Sequence, residues 1–447
     1  MFRKREAKTK EHVVIVGGGF GGLYAAKNLG NSDVEVTLID KRNFHLFQPL
    51  LYQVASGGLS ASDIASPLRG VLSKYKNISV LKSEVMDIDP NEKLVICPGQ
   101  SIKYDKLILA TGSSHHYFNN DEWSKYAPGL KTVEDALEMR RRILQAFEDA
   151  ENEKDTKRQK SLMRFVIVGG GPTGVELAGA LGELSKTTLK NDFKNIDPSK
   201  SEIYLLEGLD SILSNYPEKL SSKAKKSLER LGVEVRTNSI VSSIHNEAVY
   251  VKNDEKTEII QAHTILWAAG VKASFLGKVL SIKTGVELDK TGRVIVEKDL
   301  TIPSYKDIFV IGDLAHFLDE KNIPLPGVAP VAMQQGYYVA NLIKWKTKAK
   351  KVKAFNYKNK GNLAVIGRNA AIADLGVIKL SGFIAWMIWL YVHLRYLVEF
   401  ESKILVLFQW GWNYFTRNKS ARLITGNYNF EPIDKLKNID DDLRKAV

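Results

Sequence analysis

The chain has 447 residues, more than one hydrophobic core organises, and its 44% apolar and 26% charged make-up is that of folded protein. A formal charge of +13 asks for an anionic partner such as nucleic acid, acidic lipid or a phosphate-bearing cofactor. With neither a zinc-finger spacing nor a basic helix carrying base-reading Arg and Asn, no nucleic-acid partner and no metal centre are expected, and the single cysteine, Cys97, excludes an internal disulfide.

The first residues, MFRKREAKTKEH, are basic but lack the apolar core of a secretion signal and read as a polar lead-in. From Val13 to Asp40 the chain predicts a strand, a glycine cluster, a helix and a second strand ending in an acid, which is half of a dinucleotide fold. Gly17, Gly19 and Gly22 fit Gly-x-Gly-x-x-Gly directly after the strand. Glycine there permits the tight turn, lets backbone N–H groups approach a pyrophosphate, and brings helix close to strand. The helix N-terminus then faces the diphosphate, and Asp40 can accept hydrogen bonds from a ribose diol. The segment KLVICPG around Cys97 reads as a small β-meander, which makes the cysteine structural, and YDKLILATG closes the unit at Gly112.

The same pattern recurs from Phe165 to Glu207, with Gly169, Gly171 and Gly174 as its glycines and Glu207 as its strand-end acid. An acid here repels a 2′-phosphate and bonds a free 2′-hydroxyl, so NADH is preferred over NADPH. A polar insertion at 187 to 200 extends the crossover helix or its loop, and AHTILWAAG closes this unit at Gly270. Glu176, near the start of the second helix, either complements the helix dipole or faces the cofactor, where it could position the nicotinamide ribose or relay a proton. The sequence GRVIVEKDLTIPSYKDIFVIGD, ending at Asp313, returns to strand character after the second unit, so the first domain is discontinuous. The expected division is 10–115 with 290–350, then 116–289, then a strand-and-helix region at 351–447. No run of about 20 uncharged apolar residues predicts a spanning helix. Residues 381–394 carry no charge, and Arg395, Lys403, Arg417, Lys419 and Arg422 follow, a composition suited to helices lying in a lipid interface, with a buried helix or a dimer contact as the alternative.

With GGGFGG, ATG at Ala110 to Gly112, GGGPTGVELAG, AAG and FVIGD, the chain resembles the two-dinucleotide flavoprotein superfamily over most of its length. The resemblance implies an α/β fold with two Rossmann-type domains plus a C-terminal membrane-associating helical region. It implies non-covalent FAD at Gly17, Gly19, Gly22, Asp40, Ala110, Thr111, Gly112 and Asp313. It implies NADH at Gly169, Gly171, Pro172, Thr173, Gly174, Glu176, Glu207, Ala269 and Gly270.

Within that superfamily the chain is similar to the type II NADH dehydrogenases, which are single-chain NADH:quinone oxidoreductases. KRNFHLFQPLLYQVASG resembles the family segment beside the isoalloxazine and places Lys41, Arg42 and Gln53 near FAD. Val85 resembles an adenine-contacting position. PGVAPVAMQQG resembles the family's Ala-Gln-x-Ala-x-Gln quinone motif: Ala329, Ala332 and Gln334 fit, while Pro330 stands where the first Gln belongs and offers no side-chain hydrogen bond. The resemblance puts Ala329 beside FAD, Ala332, Gln334 and Gln335 at the quinone, and Glu176 and Gln334 in catalytic roles.

Many relatives with this double fold reduce disulfides through a cysteine pair. One thiol cannot do so, and electrons are expected to leave the flavin directly for a quinone. The implied reaction is hydride transfer from nicotinamide to flavin, then two-electron reduction of a membrane quinone without proton pumping. The protein is expected as a homodimer lying peripherally on the anionic cytoplasmic face of the cell membrane. A soluble reductase for ferredoxin or rubredoxin, and an NADH-sensing flavoprotein of the apoptosis-inducing-factor type, are the other readings of the same residues.

Overall fold

The computed structural model describes residues 10–253, 256–346, 353–417, 419 and 421–425; the basic lead-in before residue 10 and the region after 425 lie outside them. The first half-fold becomes a six-stranded sheet. Its strands Glu11–Val16, Val34–Asp40, Ile78–Lys82, Lys106–Leu109 and Tyr305–Val310 pair in parallel, and Thr301–Ile302 closes one edge antiparallel. Both faces are covered, which is why EHVVIV and KLIL are apolar runs rather than alternating ones. Val16 lies opposite both Ile39 and Leu109, so Gly17, Asp40 and Ala110 emerge together at the carboxyl ends of adjacent strands.

The second unit repeats this geometry with four parallel strands in the spatial order Val233–Arg236, Glu202–Leu206, Arg164–Val168 and Thr264–Trp267. Val168 lies opposite Leu206 and Trp267, which brings Gly169, Glu207 and Ala268 to one edge. The strand after the second unit does rejoin the first sheet: Tyr305–Val310 pairs with Lys106–Leu109. The meander around Cys97 is a three-stranded antiparallel sheet that buries the thiol. The polar insertion adds a π-helical turn, Leu184–Thr188, to the helix Pro172–Glu183 and then runs as loop to a short 3-10 turn at Pro198–Lys200.

The C-terminal region opens with a three-stranded antiparallel sheet, Asn362–Gly367, Ala370–Asp374 and Lys379–Gly382, laid against the helix Pro172–Glu183. Two helices follow, Phe383–Tyr396 and Phe400–Thr416. Among the described residues no helix is long and apolar enough to cross a membrane. Their outer faces nonetheless expose Ile384, Tyr391, Phe408, Trp412 and Phe415, the last at 82%.

Not all five basic residues of this region join that face as the composition suggested. Arg395 and Arg417 are exposed, but Lys419 turns inward and donates to the Ala180 carbonyl at 3.1 Å, and Arg422 pairs with Asp192. Lys419, Ala421 and Arg422 lie as a strap over Gly57 and the end of the helix Pro172–Glu183, so these two cations serve internal contacts. Burial lowers the Lys419 pKa, and the carbonyl end of a helix is where an ammonium gains from the dipole.

Candidate functional site

Two glycine loops form matched cradles. Gly17 and Gly169 sit at φ +104° and +108°, a conformation only glycine adopts at ease. A Cβ on Gly22 or Gly174 would lie 1.8 Å from the carbonyl oxygen of Gly17 or Gly169, so the first and third glycines answer to the protein's own turn and packing. The middle glycines do not. Around Gly19 and Gly171 no other described atom lies within 4 Å of where a Cβ would be. That open room is what a pyrophosphate needs. Neither helix that starts there, Phe20–Leu29 or Pro172–Glu183, has a side-chain N-cap, so their first N–H groups are left for a ligand.

Each strand-end acid clasps its own loop. Asp40 accepts the Gly18 N–H at 2.5 Å and the Arg42 N–H at 2.7 Å; Glu207 accepts the Gly170 N–H at 2.6 Å and the Leu209 N–H at 2.9 Å. A carboxylate has about four lone-pair sites, so each acid keeps capacity for a ribose diol beside the loop it shapes. Burial raises the Asp40 pKa against the pull of those two N–H groups.

Three observations say that the first cradle fits FAD. Gly19 faces empty space. The buried Thr111 hydroxyl, next to Ala110 and Gly112 at the end of the strand Lys106–Leu109, has no hydrogen-bond partner among the described residues. Asp313, on the turn Gly312–Leu314, is brought to Ser113 Oγ at 2.8 Å with Lys131 Nζ 3.9 Å away, a polar group set between strand ends. Val85 is buried just past the strand that pairs with Asp40. The Arg42 guanidinium pairs with Glu134 and lies over the Phe44 ring, while Lys41 is exposed. The sequence reading passed over His45, which is buried with one ring nitrogen 2.9 Å from the Gly18 carbonyl and the other without a partner among the described residues; burial holds its pKa down at about 4.

At the second cradle Pro172 and Thr173 are exposed on the first helical turn, and Ala269 and Gly270 follow the strand Thr264–Trp267. Glu176 is a full turn inside the helix, past the reach of the free N–H groups, which argues against a dipole-complementing role. Among the described residues its carboxyl has one hydrogen-bond partner, the Val365 N–H at a long 3.5 Å, and desolvation pushes its pKa up to about 8. It is therefore mostly protonated at neutral pH and can donate a hydrogen bond. Tyr52 and Tyr216 are near enough for its charge to add to the burial that raises their phenols.

A stability signature follows for the chain free of added nucleotide. The folded state holds the Glu176 proton up to about pH 8 against 4.5 for the ordinary carboxyl, so this group's contribution is complete below pH 4.5 and is lost as pH rises through about 8. Glu176→Gln is expected to flatten the fall in melting temperature between those values, by less than about 5 kcal/mol in all. Parallel melting-temperature profiles for variant and wild type would remove this assignment.

The motif on the helix Ala329–Lys346 is rearranged relative to expectation. Gln335, expected at the quinone, is 1% exposed, and its Oε1 accepts the Gly312 N–H at 2.7 Å. It steadies the turn that carries Asp313. Gln334 has both amide ends on Lys358, donating to its carbonyl and accepting its N–H, each at 3.0 Å. Ala332 is buried. Pro330 falls in the first helical turn, where a missing N–H costs nothing, so its place is accounted for by backbone geometry. The reach of Gln53 was invisible in sequence: its Nε2 donates to the Tyr52 hydroxyl at 2.9 Å, and its Oε1 accepts the indole N–H of Trp410 at 2.8 Å.

Comparison with known proteins agrees with this geometry. The pyridine nucleotide-disulphide oxidoreductase family model matches residues 11–336, and the NDH2 C-terminal domain matches residues 359–418. The chain is 42% identical over 429 residues to the type II NADH:quinone oxidoreductase Ndh of Mycobacterium tuberculosis, covering 94% of this chain and 92% of the relative. It is 43% identical over 427 residues to NdhA of the same organism, covering 93% and 90%. The solved structure of NDH2 from Plasmodium falciparum in complex with NADH shares the fold, with a TM-score of 0.84 over 93% of this chain and 100% of that one at 22% identity. Two cradles, the lone buried cysteine and these matches agree: the chain belongs to the pyridine nucleotide-disulphide oxidoreductase family and, within it, to the type II NADH:quinone oxidoreductases.

Proposed function

We infer that the protein is a non-proton-pumping NADH:quinone oxidoreductase that holds FAD in the first cradle, binds NADH in the second and reduces a membrane quinone. The observation that carries the reading is the repeated cradle with open middle glycines in a chain whose only thiol is shut inside a β-meander. Bound FAD supplies the hydride-accepting and electron-donating chemistry. The chain supplies the rest. Backbone N–H groups at each helix start hold a diphosphate, Asp40 and Glu207 bind ribose, and Glu207 disfavours a 2′-phosphate. The protonated Glu176 presents a hydrogen-bond donor beside the second cradle, where the nicotinamide ribose or carboxamide can accept it. Gln334 is held by Lys358 at both amide ends, so only its second N–H is left for a quinone carbonyl.

The exposed aromatic and aliphatic face of the helices Phe383–Tyr396 and Phe400–Thr416, with Arg395 and Arg417 at its margin, supports peripheral docking on an anionic cytoplasmic membrane face. A soluble iron-protein reductase or an NADH-sensing switch has no use for such a face. A homodimer belongs to the same reading.

The test is NADH oxidation by the purified yellow protein with a short-chain quinone, repeated on vesicles containing anionic lipid. Quinone-dependent turnover and co-sedimentation with the vesicles are expected; NADH consumption that ignores quinone would sink the reading. Gln334→Ala is expected to change quinone turnover less than about threefold, because its hydrogen bonds serve Lys358. A larger loss with unaltered melting would return Gln334 to the quinone.

A further inference from the structure

A polar thread runs from the helix Phe400–Thr416 to the helix Leu51–Ala55, which packs against the helix of the second cradle, joining residues 357 positions apart. The Trp410 indole N–H donates to Gln53 Oε1 at 2.8 Å, and Gln53 Nε2 donates to the Tyr52 hydroxyl at 2.9 Å. Indole is a donor and never an acceptor, so it dictates which end of the Gln53 amide faces it. The NH2 end must then face Tyr52, which makes the phenol oxygen an acceptor and leaves its own proton to point elsewhere. No acceptor among the described residues takes that proton. Tyr52 is buried, and desolvation followed by the charge of Glu176 holds its phenol well above the ordinary value, so the proton stays on oxygen.

The placing of Trp410 is itself rigid. It packs on Trp389 at 5.3 Å, and Trp389 stacks on His393 at 4.2 Å. His393 meets Phe47 edge-on at 6.2 Å, and Phe47 meets Phe20, the first residue of the first cradle's helix, at 5.6 Å. One aromatic column thus fixes the last helix against the FAD cradle. Its neighbours Phe408 and Trp412 face outward, so the helix has one face in the site and another in solvent.

We propose that Trp410 is a positioning residue for reduction of the acceptor: by fixing the Gln53 amide it leaves the buried Tyr52 hydroxyl free to donate a hydrogen bond to that acceptor. The proposal rests on the NADH:quinone reading above. It assigns the last helix a part in the site besides that of a docking surface, and it takes the acceptor to be a carbonyl compound, whose oxygen gains charge on reduction and so gains from a neutral donor.

Anaerobic rapid mixing of the full-length holoprotein separates the two half-reactions. Trp410→Phe keeps the ring and loses the N–H. It is expected to slow reoxidation of NADH-reduced enzyme by a short-chain quinone about fivefold to tenfold, the worth of one orienting hydrogen bond, while bleaching by NADH stays within about twofold. Gln53→Glu keeps the acceptor for Trp410 but offers Tyr52 a carboxylate that captures its proton, and the same slowing is expected. Adding Trp410→Phe to Tyr52→Phe is expected to cost nothing further.

Reoxidation of Trp410→Phe at the wild-type rate would overturn the proposal. So would a variant that slows both half-reactions alike while Gln53→Glu is silent, since that is the signature of packing alone. A wild-type protein whose flavin bleaches with NADH but is not reoxidised by quinone would instead remove the underlying function.

Discussion

Gly171→Val protein is expected to purify yellow and folded, and to need about a hundredfold more NADH than wild type for half-maximal flavin bleaching. Gly171 sits at φ −69°, ψ −178°, a conformation open to any residue, and no described atom lies within 4 Å of its missing side chain. The fold therefore does not ask for glycine here; the ligand does. A branched side chain would fill the room through which backbone N–H groups reach the diphosphate. Losing one or two hydrogen bonds to a charged group, at about 1.5–3 kcal/mol each, gives the stated factor. Unfolding free energy without nucleotide should move by less than about 0.5 kcal/mol. The equivalent change in the first cradle, Gly19→Val, makes a control with the opposite colour. Gly19 has the same freedom, at φ −69°, ψ −164° with nothing nearby, and that variant is expected to emerge colourless. Normal NADH affinity in Gly171→Val would mean that the second cradle is not the nucleotide site.

The second large effect is on stability. Gly179→Ala is expected to cost about 3 kcal/mol or more and to lower the melting temperature by about 3 °C or more, since overpacking against backbone cannot be relieved by a rotamer change. The new Cβ would lie 1.6 Å from the Ile366 carbonyl oxygen, where the helix Pro172–Glu183 meets the strand Asn362–Gly367. Helix and strand must part. Because Glu176 stands one turn away on the same helix and meets Val365, the displacement should also loosen nucleotide binding. Gly411→Ala is the matched comparison: that glycine lies within the helix Phe400–Thr416 and has nothing within 4 Å, so alanine is expected to be neutral or to stabilise by about 0.5–1 kcal/mol. Equal melting temperatures for the two variants would show that helix and strand leave room for a side chain at Gly179.

Much of this protein was legible in its sequence, and for a definite reason. The turn at Gly17, the contact of Gly22 with the Gly17 carbonyl and the placing of Asp40 depend on a few consecutive residues and on the parallel register of neighbouring strands. Spacing alone therefore carries that information, and the repeat at Gly169, Gly174 and Glu207 carries it a second time. The lone cysteine removed disulfide chemistry by count. The return of Tyr305–Val310 to the first sheet followed from an apolar strand left over after the second unit was complete.

What the tertiary structure decided concerns direction. In sequence, Gln334 and Gln335 are adjacent amides on one motif; in the fold, a rotation of about 100° along the helix sends one to Lys358 and buries the other against Gly312. Lys419 and Arg422 read as lipid-facing charges until the strap turns them to Ala180 and Asp192. Glu176 was open between complementing the dipole and facing the cofactor, and only the fold shows it buried a full turn inside the helix with its pKa raised to about 8. Local spacing fixes where the backbone goes over a handful of residues. Which way a side chain points, and what it meets, depends on chain hundreds of residues away, as Trp410 and Gln53 do on each other.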